Sequence, residues 1–163
     1  MSKYDINSNP VLVKRIIENE KTRMQEYLKE NPDSLIPLFE KEIRELGFQF
    51  EVLSQIIGFM PKHKESILPI AIQYYRQAKK KLKYNEQNYF LKFFCFKGFE
   101  EVIPMLLEDF YCTGTQSLTR WFIADCLYQI RSRKYILDYL NIISSPEYGI
   151  NRQMVILLVG KLK

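Results

Sequence analysis

Few residues in this chain combine the types and spacing that catalysis or metal binding requires. His63 is the single histidine among 163 residues, so schemes that pair serine or cysteine with histidine have one base available. The three cysteines are an odd number and include no C-x-x-C pair; Cys95 and Cys126 lie in apolar helical runs. We therefore expect reduced core thiols, no metal, no cofactor and no enzymatic activity.

The net charge of +5 is concentrated in residues 62–83, where Glu65 is the single carboxylate. The densest part of this segment is a basic edge, formed by Arg76, Lys79, Lys80, Lys81 and Lys83. Cations at the C-terminal end of a helix complement its macrodipole, which is one interpretation. Contact with the phosphates of a nucleic acid is the other.

Four further residues in the C-terminal half suggest chemistry but also have structural interpretations. Arg120 and Arg152 begin two apolar helical runs, and each either bonds to the preceding loop or binds an anion. Trp121 is interpreted as a packing residue rather than a platform for base stacking. Asp125 lies within an apolar run, where we expect it to pair with a donor on a neighbouring repeat.

The composition predicts a folded chain that lies outside the membrane. Hydrophobic residues make up 47% of the sequence and charged residues 26%, a balance typical of globular proteins. The longest apolar runs are too short to span a bilayer. The N-terminal residues lack the apolar core of a signal peptide, which predicts a cytoplasmic location.

A proline inside an apolar pattern recurs along the chain and indicates an internal repeat. Pro37, Pro69 and Pro104 each follow two apolar residues, and Asp138 stands at the fourth equivalent position. The residue two positions after each of them is also apolar. A recurrence of about 34 residues is typical of stacked helical hairpins. The pattern therefore predicts an all-α fold.

Capping signals place the ends of these helices. Asp33-Ser34 and Ser66 are predicted N-caps, which puts Pro37 and Pro69 in the first helical turn. Pro104 falls at about the fourth position of a helix beginning near Glu101. Asn9-Pro10 predicts the start of the first helix, which runs to about Asn31 with a possible break in 18–22. Gly47 and Gly114 are predicted left-handed C-caps.

These signals predict one domain over residues 1–163. The predicted helical hairpins and the final helix are 10–46, 48–82, 86–113, 117–145 and 150–163, respectively. A first helix precedes each second helix, as the apolar run 122–127 precedes the helix at Asp138, and the run 154–159 continues the series as the trailing helix. Because a single hairpin of this kind cannot bury its apolar face alone, neighbouring hairpins are expected to stack.

The runs at 120–127 and 152–162 resemble the first helices of HEAT repeats, which often carry an arginine, small residues and a Leu-Gly pair. The second helices of that family often begin with Leu-Pro-x-Leu, which the stretch Ile103-Pro104-Met105-Leu106 resembles. The resemblance covers nearly the whole chain and implies an α-solenoid of about four hairpins with a trailing C-terminal helix. Asn88 and the phenylalanines that follow it depart from the family pattern. Armadillo-like or tetratricopeptide-like stacking stays open as an alternative.

The resemblance implies a concave groove lined by the second helices, and hence a non-enzymatic scaffold or adaptor that binds another protein or peptide. The predicted groove positions follow each proline-equivalent residue at fixed intervals: Leu38, Lys41, Ile70, Gln73, Met105, Glu108, Tyr139 and Ile142. One alternative is a nucleic-acid-binding protein similar to the HEAT-like DNA glycosylases, which would use the basic 62–83 segment. A toxin-neutralising immunity protein is the other.

The last predicted helix is apolar around its whole circumference. Met154, Ile156 and Leu157 are therefore expected to support self-association or to bind a partner, because terminal repeats usually present a polar outer face. The sequence thus predicts a protein or peptide partner, a homo-oligomer formed through this helix as a further possibility, and no membrane partner.

Overall fold

The computed structural model of the protein describes residues 9–112, 114 and 116–162, and the regular structure in this part of the chain is helical. The α-helices there are α1 (Pro10–Glu30), α2 (Ile36–Glu45), α3 (Leu53–Lys80), α4 (Tyr84–Leu91), α5 (Ile103–Tyr111), α6 (Ser117–Ile130), α7 (Ile136–Ser144) and α8 (Gln153–Lys161). Short 3₁₀ segments, Glu100–Val102 and Pro146–Arg152, precede α5 and α8. The all-α prediction is confirmed.

The described residues form two compact units that divide between Lys62 and His63. The first contains α1, α2 and the start of α3, and the second contains the remaining helices. None of the described helices has the length and apolar character needed to cross a bilayer. That residues 1–163 form a single domain stays a prediction.

The starts of α1 and α2 follow the capping signals. The Asn9 side chain accepts hydrogen bonds from the backbone N–H groups of Val11 and Leu12, both at 3.2 Å, and Pro10 opens α1. Ser34 Oγ accepts a hydrogen bond from the N–H of Ile36 at 3.2 Å. Ser34 stands one residue before Leu35, which is the N-cap of α2. α1 is continuous from Pro10 to Glu30, so the predicted break in 18–22 is wrong.

The prolines occupy three different settings. Pro37 and Pro104 lie in the first turns of α2 and α5, where a missing N–H costs no intrahelical bond. Pro104 is therefore earlier in its helix than predicted, because a 3₁₀ turn takes up Glu100–Val102. The predictions for Pro69 and Ser66 are wrong: both lie within α3, which departs from helical geometry at His63 (φ −126°, ψ 30°).

The helix ends show which residues tolerate a left-handed backbone. Gly47 has φ +91° just after α2, which confirms the predicted C-cap. The prediction for Gly114 is wrong, since α5 ends at Tyr111 with Cys112 extended. At the end of α3, Leu82 takes the left-handed position (φ 55°), and the Lys83 N–H reaches the Ala78 carbonyl oxygen at 2.9 Å.

The core of the second unit is built around α6. This helix packs against α4, α5 and α8, and α7 packs against α8. The side chains that these helices bury completely are large and mostly aromatic or branched: Phe90, Phe93, Phe94, Ile103, Leu106, Phe110, Ile123, Leu127, Val155 and Leu158. Phe90, Phe93 and Phe94, which depart from the HEAT pattern, fill this core.

Candidate functional site

The predicted groove residues divide into exposed and buried positions. Lys41, Gln73 and Glu108 are exposed, as is Leu38 at 55%, and Ile70 and Met105 are half-buried. Tyr139 and Ile142 are completely buried. The prediction that these last two line an exposed groove is therefore wrong.

In α7 the outward-facing residues lie one position earlier in the helix than predicted. Leu137 is 72% exposed, and Pro69 and Pro104 are also exposed in their helices. Tyr139 and Ile142 face the core. Asp138 marked the wrong position because it follows the apolar pair Ile136 and Leu137, just as each proline follows two apolar residues. In the second unit, Leu137 is therefore the equivalent of Pro69 and Pro104.

With Leu137 as the reference position in α7, three helices of the second unit expose residues at matching positions. Each exposed set is spaced by four and then three residues, which keeps it on one side of a helix. We call these residues the second-helix face: Pro69, Gln73 and Arg76 on α3; Pro104, Glu108 and Tyr111 on α5; and Leu137, Asn141 and Ser144 on α7.

Polar bonds hold these three helices side by side. The Tyr75 hydroxyl on α3 donates to Asp109 Oδ2 on α5, and Lys79 Nζ donates to Asp109 Oδ1. The Tyr111 hydroxyl on α5 donates to the Asp138 carbonyl oxygen on α7 at 3.2 Å. The face is therefore carried by neighbouring helices of one unit.

Asp109 is the centre of a buried polar network. Its side chain is 3% exposed and binds both Tyr75 and Lys79, while Gln87 Nε2 donates to the Tyr75 hydroxyl at 3.3 Å. Burial and the Asp109 charge raise the pKa of the Tyr75 phenol well above its ordinary value. Burial lowers the pKa of Lys79, but the hydrogen bond and charge of Asp109 outweigh it and leave the pKa raised. The network therefore joins α3, α4 and α5.

The raised pKa values predict a loss of stability in alkaline solution. Tyr75 and Lys79 hold their protons more tightly in the folded state than in the unfolded state, so their contribution is complete below pH 10 and is lost as pH rises through the folded values. The free energy of unfolding from urea titrations should fall steadily above about pH 10. Tyr75→Phe should reduce that slope, and an unchanged slope in this variant would contradict the assignment to Tyr75.

The basic edge presents fewer exposed cations to a ligand than the sequence predicts. Lys79 is committed to Asp109. Lys64, from the same basic segment, binds Glu101 Oε1 at 2.6 Å. Arg76, Lys80 and Lys81 are exposed, and Lys83 is half-buried. Lys79 and Lys80 lie in the last turn of α3, where cations complement the helix dipole. This favours the helix-end interpretation over a phosphate-binding edge.

Arg120 and Arg152 bond to the chain that precedes their helices, which was one of the two interpretations of these residues. Arg120 Nε and Nη2 donate to the carbonyl oxygens of Phe110 and Cys112 at 2.9 and 2.7 Å, at the end of α5. Arg152 Nη1 donates to the carbonyl oxygen of Ile143 near the end of α7 at 2.8 Å. Each arginine therefore satisfies C-terminal carbonyl groups of the preceding helix.

Replacing Arg120 by alanine should lower the free energy of unfolding by about 2 kcal/mol, because two charge-assisted bonds to carbonyl groups are lost. Urea unfolding followed by circular dichroism measures this change. Arg76→Ala is the matched control, since Arg76 is exposed and should change stability by less than about 0.5 kcal/mol. Equal effects of the two substitutions would contradict the capping role.

Two other polar predictions need correction. Asp125 accepts a hydrogen bond from Gln129 Nε2, at 3.5 Å, within α6 itself, rather than from a neighbouring repeat. Cys95 and Cys126 form a disulfide with a Cα–Cα distance of 4.4 Å, so they are not the predicted free thiols. The sequence separation hid this pair, since α6 brings Cys126 back beside the end of α4. Cys112 is free and half-buried.

The predicted self-association residues lie on α8, and their exposure differs. Ile156 and Leu157 are 49% and 54% exposed, Met154 is half-buried, and Val155 and Leu158 face the core. Helix α8 is therefore apolar on both sides. Sequence analysis missed the cations beside it: Arg131 and Lys161 lie 5.5 and 4.6 Å from the ring centre of Tyr128.

Two surface cavities belong to the first unit. The smaller, about 160 Å³, is lined by residues from α1, α2 and the start of α3, including Glu40 and Lys21. Burial raises the pKa of the Glu40 carboxyl, with Arg44 acting in the opposite direction. The larger, about 500 Å³, lies along α1. The described residues contain no group of His, Cys, Asp and Glu side chains arranged to hold a metal ion.

Comparison of the chain with protein-family models, curated proteins and solved structures finds no match.

Proposed function

We propose that this protein is a non-enzymatic scaffold of HEAT-like helical hairpins that binds a polypeptide along its second-helix face. The stacking is supported by contacts between helices one repeat apart. Tyr75 bonds Asp109 and Asn151 bonds Ser117, each across 34 residues of sequence, and the disulfide spans 31. A regular recurrence of such contacts is what a stacked solenoid produces.

The observation that carries the binding role is the repeated exposure of equivalent positions on α3, α5 and α7. The face combines carboxylate, guanidinium and hydroxyl groups with apolar Leu137, which is 72% exposed. A mixed surface of this kind, carried by a rigid scaffold, offers hydrogen bonds as well as apolar contact to an extended or helical peptide.

Site-specific photo-crosslinking tests this role. A photoreactive amino acid is placed at Gln73, Glu108 or Asn141 in the full chain, and at exposed Lys92 or Leu118 as controls. After irradiation in an extract of the source organism, the face positions should yield polypeptide adducts of defined mass that the control positions lack. Adducts of equal yield at both sets, or adducts with nucleic acid alone, would overturn the proposal.

A further inference from the structure

Helix α8 presents a continuous exposed stripe that the second-helix face does not include. Its residues are spaced by three, one, three and one positions, which places them on one side of the helix. They are Gln153, Ile156, Leu157, Gly160 and Lys161. The centre of the stripe is apolar, and its C-terminal end carries a positive charge.

Gly160 stands in this stripe without a local backbone reason. Its φ is not in the left-handed region, and nothing lies within 4 Å of the position where a Cβ would stand. Glycine is less favourable than alanine inside a helix, because it loses more conformational freedom on folding. Its presence here leaves the surface of α8 open to the close approach of another chain.

Cations surround the end of the stripe on a defined scaffold. Lys161 donates to the Tyr128 hydroxyl and lies over the same ring as Arg131. Arg131 holds a left-handed backbone (φ 59°) at the end of α6. In the loop that follows, buried Ser132 accepts a hydrogen bond from the N–H of Lys134 at 3.3 Å. These contacts preorganise the positive charges for binding.

The charge of this region is not balanced locally. Residues 126–162 contain Asp138 and Glu147 as their carboxylates, against five lysines and arginines. Among the described residues, no carboxylate forms an ion pair with the four exposed cations: Arg131, Arg133, Lys134 and Lys161. Arg131 and Lys161 lie 5.5 and 4.6 Å from the same ring centre. At most about 10 Å therefore separates the two charges, which is about one Debye length at 0.1 M salt, so they repel each other.

We propose that the α8 stripe and the 131–134 loop bind an acidic amphipathic helix of another polypeptide. Apolar side chains of that helix would pack on Ile156 and Leu157, while its carboxylates pair with Arg131 and Lys161. An apolar strip beside unpaired cations fits this partner better than it fits a nucleic acid, because the strip contains no aromatic side chain on which bases could stack. The surface shares no residue with the second-helix face, so the two proposals fail independently.

Fluorescence anisotropy with a designed probe tests this proposal. The probe is a labelled helical peptide of Glu and Leu in heptad spacing; its controls are a scrambled peptide of the same composition and a labelled oligothymidylate. The full chain should bind the heptad peptide saturably and the scrambled one at least about tenfold more weakly, because only the former presents an apolar stripe. Absence of saturable binding up to about 1 mM, or equal binding of the scrambled peptide, would overturn it.

Paired variants locate the binding surface. Lys161→Glu, and separately Arg131→Glu, should weaken binding about fivefold or more, whereas Lys80→Glu on α3 should not. Leu157→Asp should abolish binding, whereas Leu118→Asp, at a residue of similar exposure, should not. Helical content by circular dichroism verifies that each variant is folded. If Lys161→Glu bound the heptad peptide as tightly as the wild type does, the cations would have another role. The same would follow if the wild type bound the oligothymidylate more tightly than the peptide and these charge variants lost that binding.

Sedimentation velocity tests whether a second copy of this chain covers the α8 stripe. The wild-type chain should sediment as a monomer at the concentrations used for binding. A concentration-dependent dimer that Leu157→Asp abolishes would mean that a second copy of this chain covers the stripe, and would overturn the proposal of an acidic partner.

Discussion

Reduction of the Cys95–Cys126 disulfide is expected to lower the free energy of unfolding by about 3–4 kcal/mol, through the loss of a cross-link that closes a loop of 31 residues. After reduction, both thiols can donate to the Leu91 carbonyl oxygen, 3.2 and 3.1 Å from the two sulfurs, so the folded state does not gain an unsatisfied group. The loss should therefore come mainly from the freedom regained by the unfolded chain.

Urea unfolding with and without a phosphine reductant measures this change. Trp121, the single tryptophan of the sequence, lies in α6, the helix that carries Cys126, and reports on the second unit. Cys126→Ala should behave like the reduced wild-type protein and lose any further response to reductant. Cys112→Ala is the control that keeps the full response. Peptide mapping without reductant that recovers Cys95 and Cys126 as separate free thiols would contradict the prediction.

Replacing Asp109 by alanine is expected to cost about 3 kcal/mol of stability, because it removes the carboxylate that binds both Tyr75 and Lys79. Breaking a buried ion pair by removing one partner typically costs about 3–5 kcal/mol. The lower end applies here because the Lys79 side chain is 39% exposed and regains contact with water. Urea unfolding followed by circular dichroism gives the change.

Two variants separate the parts of this effect. Asp109→Asn keeps an acceptor for the Tyr75 hydroxyl and loses the charge, so it should cost less than the alanine variant. Glu108→Ala removes an exposed carboxylate from the adjacent position and should change stability by less than about 0.5 kcal/mol. If Asp109→Ala were as mild as Glu108→Ala, the buried network would not be holding α3 against α5.

Local signals predicted the elements well where one residue's own chemistry decides the backbone. Asn9 begins α1 because its side chain satisfies two free N–H groups, and Gly47 ends α2 because it takes a positive φ without strain. Pro37 marks a first turn for a similarly local reason. Signals of this kind operate within one helical turn, so they can be read without knowing which helices meet.

The failures lie where contacts between distant residues decide. Ser66 and Pro69 carry the same local signal as Ser34 and Pro37, yet helix continues through them and breaks at His63 instead. Lys79 belongs to a basic run in the sequence, but Asp109 on another helix takes its charge. The register of α7 depended on Asp138, although burial of Tyr139 and Ile142 shows that Leu137 is the outward position.

The sequence by itself therefore determined the helical class and several helix ends, because these follow from side-chain spacing and from caps. Only the tertiary structure decided which charges are paired, which cysteines are joined and which apolar residues stay in solvent. Each of those outcomes depends on residues about thirty or more positions apart in the sequence, as with Tyr75 and Asp109 or Cys95 and Cys126. The physical reason is that burial, ion pairing and cross-linking are properties of the packed helices, which no single segment contains.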